Sequence, residues 1–461
     1  MKSSRQERVA QPATVSALHA LQEAEEHQLQ AARLNPGSPY FPGGPRSQQP
    51  ARRRFLAGGV AALAGAGARA ETPPGAVERP VPDDASRTLG IPLDDSSYGA
   101  RSQFETELRT RFKTATPWSS WTMTPLQAGL GIITPSGLHF ERSHGGTATI
   151  DPARHDLFVH GLVRQARKFA MKDLRRFPSV SRLHFIECSG NGLTEWSKPT
   201  LKTVQGTHGL TSCSEWTGVP LSVLLEEAGL RTNARWLLAE GGDAAAMTRS
   251  IPMDKALKDC IVAYGQNGEA LRPEQGYPLR LIVPGFEGNV HIKWLRRIEV
   301  SDAPFMTREE TSKYTDLLPS GKAVQFSFEM EAKSVITSPS GEMQLEGTGF
   351  HEIRGLAWSG RGTVKQVDVS TDGGRTWVRA ALQGPVLPVC HTRFRLPWRW
   401  DGQPAILQSR CIDETGYVQP TLGQLVAARG LNGPLGSIYH LNAIQSWGVD
   451  ASGKVSNVHH Y

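Results

Sequence analysis

The stretch Phe185-Ile-Glu-Cys-Ser-Gly-Asn-Gly192 sets a cysteine, Cys188, at the end of an apolar run and follows it at once with turn-forming residues. A strand that hands a thiol to a tight turn can offer it as a metal ligand or nucleophile, and a thiolate prefers soft metals. The competing reading is a small core hydrophobe, because free cysteine is among the most buried residue types. Other groups able to do chemistry lie apart in the same half of the chain. They are Arg142 and His144 in FERSHGG, Arg249 and Ser250 in RSIP, Arg280, Asn289, His291, Lys293 and Trp294 in YPLRLIVPGFEGNVHIKWLRR, and Tyr314 in SKYTDL. One cysteine with scattered Arg, His and Lys suits a thiolate on a soft metal whose organic ligand carries a phosphate. Taken singly, Lys293 and Arg280 are more often surface charges, His144 and His291 structural histidines, and Tyr314 a core tyrosine.

The elements that must position these groups fall into two patterns. From about 96 to 325 short apolar runs alternate with helical spacing. Strands are expected over 156–163, 181–188 and 277–285, and an amphipathic helix over 220–230, where Leu221, Leu224, Leu225 and Leu230 share a face and Gly229 marks the end. This half is α+β. From 330 to 445 short strands recur every ten or so residues, Val367 and Val369 alternate with Asp368 and Ser370, and Asp372-Gly373-Gly374 makes a hairpin turn. That pattern predicts an immunoglobulin-like β-sandwich. Residues 446–461 read as a C-terminal tail.

The front of the chain reads differently. ARRRFLAGGVAALAGAGARA, residues 51–70, has a basic start, a weak apolar run and Ala68-Arg69-Ala70. Residues 1–70 therefore read as an N-terminal extension with a twin-arginine export signal cut after Ala70, and 71–95, rich in Pro, Ala and Asp, as a linker. The expected destination is the periplasm. The apolar run is interrupted by glycine and is too short for the ~20 residues of a membrane span. Of the +7 net charge of the 461 residues, the first 70 carry +5 from nine Lys/Arg against four Glu. The +2 that remains does not call for a nucleic-acid partner. The five cysteines are Cys188, Cys213, Cys260, Cys390 and Cys411; none lies in C-x-x-C-H, so no haem is expected in this chain. Cys390 and Cys411 fall on candidate strands of the sandwich and are open to a bridge.

FERSH, FIECSGN, WTGVPLSVLL, GYPLRLIVPG, HIKWLRRIEV, LAWSG and VDVSTDGGRTW occur in the order found in the sulfite oxidase family of molybdenum enzymes, which the chain resembles over about 130–445. The resemblance implies a molybdopterin-binding α+β domain at 96–325 and an immunoglobulin-like dimerisation domain at 330–445. It implies molybdenum on a single molybdopterin, cycling between Mo(VI) and Mo(IV) as an oxygen atom is transferred to a sulfur substrate. Cys188 falls on the metal-ligating cysteine. His144, Arg280 and Lys293 fall on contacts to the pterin phosphate, with Ser250 a weaker match. Arg142 and Tyr314 fall on substrate-pocket residues, and Arg429 in AARGLNG matches a pocket arginine supplied from far along the chain.

The family pattern also breaks. Animal and plant sulfite oxidases carry two arginines directly after Cys-x-Gly-Asn; here Gly192 and Leu193 stand there, and Gln275 replaces a histidine. One lost charge-assisted contact to a small dianion is worth about 1.5–3 kcal/mol. With the tail LNGPLGSIYHLNAIQSWGV, these departures resemble the sulfane dehydrogenase branch of the family. That branch implies a sulfane sulfur on a carrier protein as substrate, in thiosulfate oxidation, with a c-type cytochrome subunit as electron acceptor. The alternatives are a periplasmic sulfite dehydrogenase acting on free sulfite, and a docking subunit without metal.

Overall fold

The computed structural model describes residues 99, 101–112, 114, 116–196, 199–430 and 439–459. The export signal and the linker lie outside them. Residues from Glu107 onward belong to one compact unit; a second, Arg33–Thr106, is described only at 99 and 101–106, where Arg101 and Glu105 pair at 3.9 Å. No helix among the described residues is long and apolar enough to cross a membrane.

The α+β half is built on two five-stranded sheets. In one, Val180–Glu187 pairs with Thr211–Pro220, which pairs with Ile261–Gln266, flanked by Glu269–Ala270 and Arg280–Ile282. In the other the order is Arg167–Ala170, Asp156–Gly161, Leu295–Ser301, Trp236–Gly241, Thr248–Pro252. The expected helix forms as Leu221–Ala228; Gly229 ends it in a left-handed conformation at φ 72°. Leu221, Leu224 and Leu225 are fully buried in one core with Leu157, Leu237 and Ile298. The strand expected over 277–285 shrinks to Arg280–Ile282. Pro278 and Pro284 bracket it, and neither has an N–H to give to a ladder.

The second half is a β-sandwich. Lys333–Ser338, Gly349–Trp358, Thr392–Trp400 and Ala381–Gln383 form one sheet. Val378–Arg379, Val364–Ser370, Ala405–Asp413, Ser446–Val449 and Val455–Val458 form the other. The last two strands come from the segment read as a tail. They belong to the sandwich because Trp447 is fully buried, with its indole N–H on the Ile336 carbonyl at 3.1 Å. The hairpin at Asp372 is held by its own carboxylate, which accepts from the Thr376 N–H at 2.9 Å and hydroxyl at 2.6 Å.

All five cysteines are free thiols. Cys390 and Cys411 are not bridged: the Cys390 thiol donates to the Leu183 carbonyl at 2.7 Å, while Cys411 sits opposite Val367 in the far sheet. The two halves share a core, since Phe185 and Cys213 of the first pack with Trp358, Val367 and Phe394 of the second. A buried ion pair joins them as well: Lys333 Nζ lies 3.0 Å from Glu187, the residue before Cys188.

Candidate functional site

Cys188 sits where the Val180–Glu187 strand, buried over its last four residues, runs into a turn. Its N–H donates to the Leu210 carbonyl at 2.9 Å, and its own carbonyl accepts the Asn191 N–H at 2.9 Å. The Asn191 side chain ties the turn down: its amide donates to Glu187 at 2.9 Å and its oxygen accepts from the Leu210 N–H at 3.1 Å. Gly192 completes the turn at φ 92°, a conformation open to glycine without a Cβ penalty. Across from it the 287–289 loop lies so close that a Cβ on Gly288 would stand 3.1 Å from the Cys188 Cα. Burial raises the Cys188 thiol above its ordinary pKa, against the Gly190 N–H and the charge of Arg142. Only a bound metal or an added cation would make it a thiolate at neutral pH.

The thiol opens on a pocket with about 720 Å³ between its walls, counted out to the mouth. Arg142, His144, Cys188, Arg280, Lys293 and Tyr314 all line it, so six of the eight residues to which the family resemblance gives a role converge here, with Asn289, His291 and Trp294 beside them. Arg142 and His144 come from the strand Glu141–Ser143 and the residue after it. The Arg142 guanidinium lies 5.2 Å from the Trp121 ring and donates to the Ser143 carbonyl at 2.6 Å. Lys293 donates to the Ser143 hydroxyl at 2.8 Å and the Glu274 carbonyl at 3.0 Å. Arg280, over the Trp216 ring at 5.1 Å, donates to Gln275 Oε1 at 3.0 Å and to its carbonyl at 3.1 Å. Gln275 thus orients the arginine. Tyr314 ends the short helix Glu309–Lys313 and packs against Arg249 at 5.2 Å.

The other two residues are placed elsewhere. Ser250 is fully buried; its hydroxyl donates to Glu310 at 3.0 Å and accepts the Phe305 N–H at 3.0 Å, and its N–H donates to the same carboxylate. It belongs to the Arg249–Glu287–Glu310 ion-pair network, in which Arg249 lies 3.1 Å from Glu287 and 3.5 Å from Glu310. Arg429 ends the Leu422–Arg429 helix and points at the His440 carbonyl at 2.8 Å and Glu331 at 2.6 Å. It holds the segment that carries Tyr439, whose ring lies 5.1 Å from that of Tyr314. Leu193 packs in a cluster with Trp196, Leu422, Leu425 and Leu441, away from the pocket lining. Tyr439 and Glu287 were not singled out by sequence reading. Tyr439 lies in a stretch without periodicity, and only its place in the tail motif marked it.

The electrostatics fit a phosphorylated cofactor. Burial lowers Arg280 to about 9 and Lys293 to about 8, so both cations are short of a counter-charge that a phosphate would supply. Burial also holds His144 well below its ordinary range and therefore neutral. Several buried polar atoms on these walls lack a hydrogen-bond partner: Arg280 Nε, His144 Nδ1, His139 Nε2 and Asn289 Oδ1. Among the described residues no three His, Cys, Asp or Glu are grouped to hold a metal ion. A metal at Cys188 would take that one ligand from the chain and the rest from an organic group.

Two family models cover this architecture in the order observed. "Oxidoreductase molybdopterin binding domain" matches residues 144–309 and "Mo-co oxidoreductase dimerisation domain" matches 324–446. Fold and site define a molybdopterin oxidoreductase, and molybdenum-molybdopterin is the cofactor. The crystal structure of the sulfane dehydrogenase SoxCD from Paracoccus pantotrophus matches with a TM-score of 0.78 and 45% identity, over 82% of this chain and 99% of that one. Mitochondrial sulfite oxidase of Rattus norvegicus is 31% identical over 68% of this chain and 61% of its own length. Nitrate reductase [NADH] of Solanum lycopersicum is 33% identical over 59% of this chain and 33% of its own. The chain therefore spans between a third and about three-fifths of these two relatives. It belongs to the sulfite oxidase family of molybdopterin oxidoreductases.

Proposed function

We propose that this chain oxidises sulfane sulfur borne on a carrier protein, as a molybdenum subunit that passes electrons to a c-type cytochrome. It does so in the periplasm after twin-arginine export, as a homodimer within a larger assembly. The observation that carries the reading is the likeness to SoxCD, at 45% identity over 99% of that chain. The pocket supports it. Arg142 and Tyr314 line it with Cys188, and Tyr439 packs on Tyr314, while Leu193 lies in an apolar cluster and Arg429 is engaged with Glu331. With Arg280 and Lys293 given to the pterin phosphate, Arg142 is the lining cation left among the described residues, fewer than a free dianion would need.

When bound, molybdopterin supplies two-electron oxygen-transfer chemistry between Mo(VI) and Mo(IV). Cys188 is the residue that would hold the metal, and Arg280, Lys293 and neutral His144 would hold the phosphorylated pterin. Arg142 would stabilise negative charge growing on the oxygen-bearing sulfur, as fixed positive charges do in a water-poor site. Tyr314, held protonated by burial, would donate a hydrogen bond to the same group. The proposed domains are a cofactor domain over 96–325 and a dimerisation domain over 330–445, to which the strands Ser446–Val449 and Val455–Val458 add themselves.

The test is anaerobic mixing of the molybdenum-loaded chain with sulfite and, separately, with a persulfidated carrier protein. Metal reduction is followed by absorbance and the transient Mo(V) resonance. Fast reduction by the carrier and slow reduction by sulfite is the expected result. Fast reduction by sulfite alone overturns the proposal in favour of a sulfite dehydrogenase, and a chain that purifies without molybdenum leaves only a docking role.

A further inference from the structure

We propose that Tyr439 is a specificity-determining residue on the substrate side of the pocket, aimed there by the segment His440–Asn442, and that it favours a singly charged, polarisable persulfide over a free dianion. The inference rests on the functional reading above and adds the residue that selects the substrate.

Tyr439 reaches the site from the last part of the chain, and the residues after it are anchored at every step. The His440 N–H donates to the carbonyl of Ser189, the residue after Cys188, at 2.8 Å. The His440 carbonyl accepts from Arg429 at 2.8 Å, and its imidazole Nε2 lies 3.1 Å from Glu287. Leu441 is 3% exposed, among Trp196, Leu422 and Leu425. The Asn442 amide donates to the Ala332 carbonyl at 3.2 Å and the Tyr417 hydroxyl at 3.0 Å. These anchors hold His440 at φ 60°, a left-handed conformation that a residue with a Cβ keeps only when its surroundings over-determine it. Strain of this kind, held from several sides, sets the direction of the neighbouring side chain.

That side chain meets Tyr314 with ring centroids 5.1 Å apart and planes at 47°. The Tyr439 phenol sits within electrostatic reach of both Cys188 and Arg142, and burial keeps it protonated. Among the described residues, Arg142 and Tyr314 line the pocket beside the thiol, and Tyr439 packs its ring on that of Tyr314. Sulfur makes favourable contacts with aromatic edges, and a neutral phenol satisfies a single negative charge without over-compensating it. Free sulfite or sulfate has no organic sulfur to lay on the rings, and among the described residues Arg142 is the lining cation left to meet its charge once Arg280 and Lys293 are given to the pterin phosphate. The sulfur chain of a persulfide has such a sulfur, and one cation meets its single charge.

The experiment uses the molybdenum-loaded chain with Tyr439→Phe, Tyr439→Arg and His440→Asn. The last keeps a residue that tolerates the left-handed conformation but cannot reach Glu287. Three quantities are read: molybdenum content, KM and kcat for persulfidated carrier and for sulfite, and the Kd of unreactive sulfate by calorimetry. Tyr439→Phe is expected to raise KM for the persulfide about tenfold or more, the loss of one hydrogen bond to a charged group, with the loss in KM rather than kcat. Tyr439→Arg is expected to tighten sulfate about tenfold or more and to shift preference toward sulfite. His440→Asn should move the persulfide KM in the direction of Tyr439→Phe at full molybdenum content. Unchanged KM values and unchanged sulfate Kd in both Tyr439 variants, at full molybdenum content, overturn the proposal. If the wild-type chain is reduced by sulfite and not by the carrier, the functional reading fails on its own. The sulfate arm then still decides Tyr439: tightening in Tyr439→Arg supports a charge-selecting position, and no change overturns it.

Discussion

Lys333→Met tests the join between the two halves and the footing of Cys188 together. Glu187 is 0% exposed and Lys333 1%. The carboxylate accepts from Lys333 Nζ at 3.0 Å and Asn191 Nδ2 at 2.9 Å on one oxygen, and from the Trp358 indole at 2.6 Å on the other. Lys333 also donates to the Asn191 carbonyl at 2.9 Å, so it pins both sides of the cysteine turn. Methionine fills the space of the lysine stem but leaves a buried carboxylate with two neutral donors. Breaking one side of a buried pair costs about 3–5 kcal/mol, a large part of the ~5–15 kcal/mol that holds a folded chain. Removing both charges in Glu187→Gln with Lys333→Met leaves no unpaired ion, and the glutamine oxygen still accepts from Trp358 or Asn191; most of the loss should return. The assay is equilibrium urea unfolding of wild type, both single variants and the double variant, read as a mutant cycle with molybdenum content alongside. A loss under about 1 kcal/mol for Lys333→Met refutes the reasoning. So does a double variant as weak as the sum of the singles.

Cys188→Ser should keep the unfolding midpoint close to wild type and lose molybdenum; metal analysis of the folded variant decides it, and full metal content would falsify the ligand assignment. Arg280→Met removes a buried cation that burial already holds down at about 9, so cofactor-free stability should hold or rise while retained pterin falls about tenfold or more. Fluorescence of released pterin measures the loss, and undiminished pterin contradicts the assignment. Leu193→Arg should lower stability, because it forces a guanidinium against Leu422 and Leu441, and should bring no gain in sulfite turnover. A faster sulfite reaction in that variant would show that position 193 does reach the pocket. Burial works to raise the Glu287 carboxyl, but Arg249 and His440 outweigh it and hold it at about 2, against an ordinary 4.5. Its stabilisation, ~3 kcal/mol, is thus present above pH 4.5 and lost as pH falls toward 2. Burial works to lower His440, but Glu287 raises it, so that share is present below the ordinary 6.5 and lost as pH rises through the raised value. Glu287→Gln should flatten both limbs in pH-dependent urea titrations, and an unchanged profile would remove the pair from the account.

By itself the sequence determined what is written in local spacing. Period-two and period-3.6 apolar patterns placed the strands and the Leu221–Ala228 helix, and turn residues placed the hairpin at Asp372 and the end of the Val180–Glu187 strand before Cys188. Arg142, His144, Cys188, Arg280, Lys293 and Tyr314 were legible because their types suit one chemistry and their motifs run in family order; they meet in one pocket. Tertiary structure alone decided which charges face the ligand and which face each other. Ser250 and Arg429 sit in recognisable motifs, but Glu310 and Glu331, tens of residues away, claim them. Leu193 stands two residues from the Asn191 that braces the cysteine turn, and the Leu422–Arg429 helix draws it into an apolar cluster. Residues 446–458 looked like a tail until the buried Trp447 placed them in the sandwich. Tyr439 is brought against Tyr314 by a segment anchored to Ser189, Glu287, Arg429 and Ala332, no two adjacent in the chain. The physical reason is common to these cases: a side chain's partner is set by which distant groups share its desolvated space, and spacing along the chain carries no record of that.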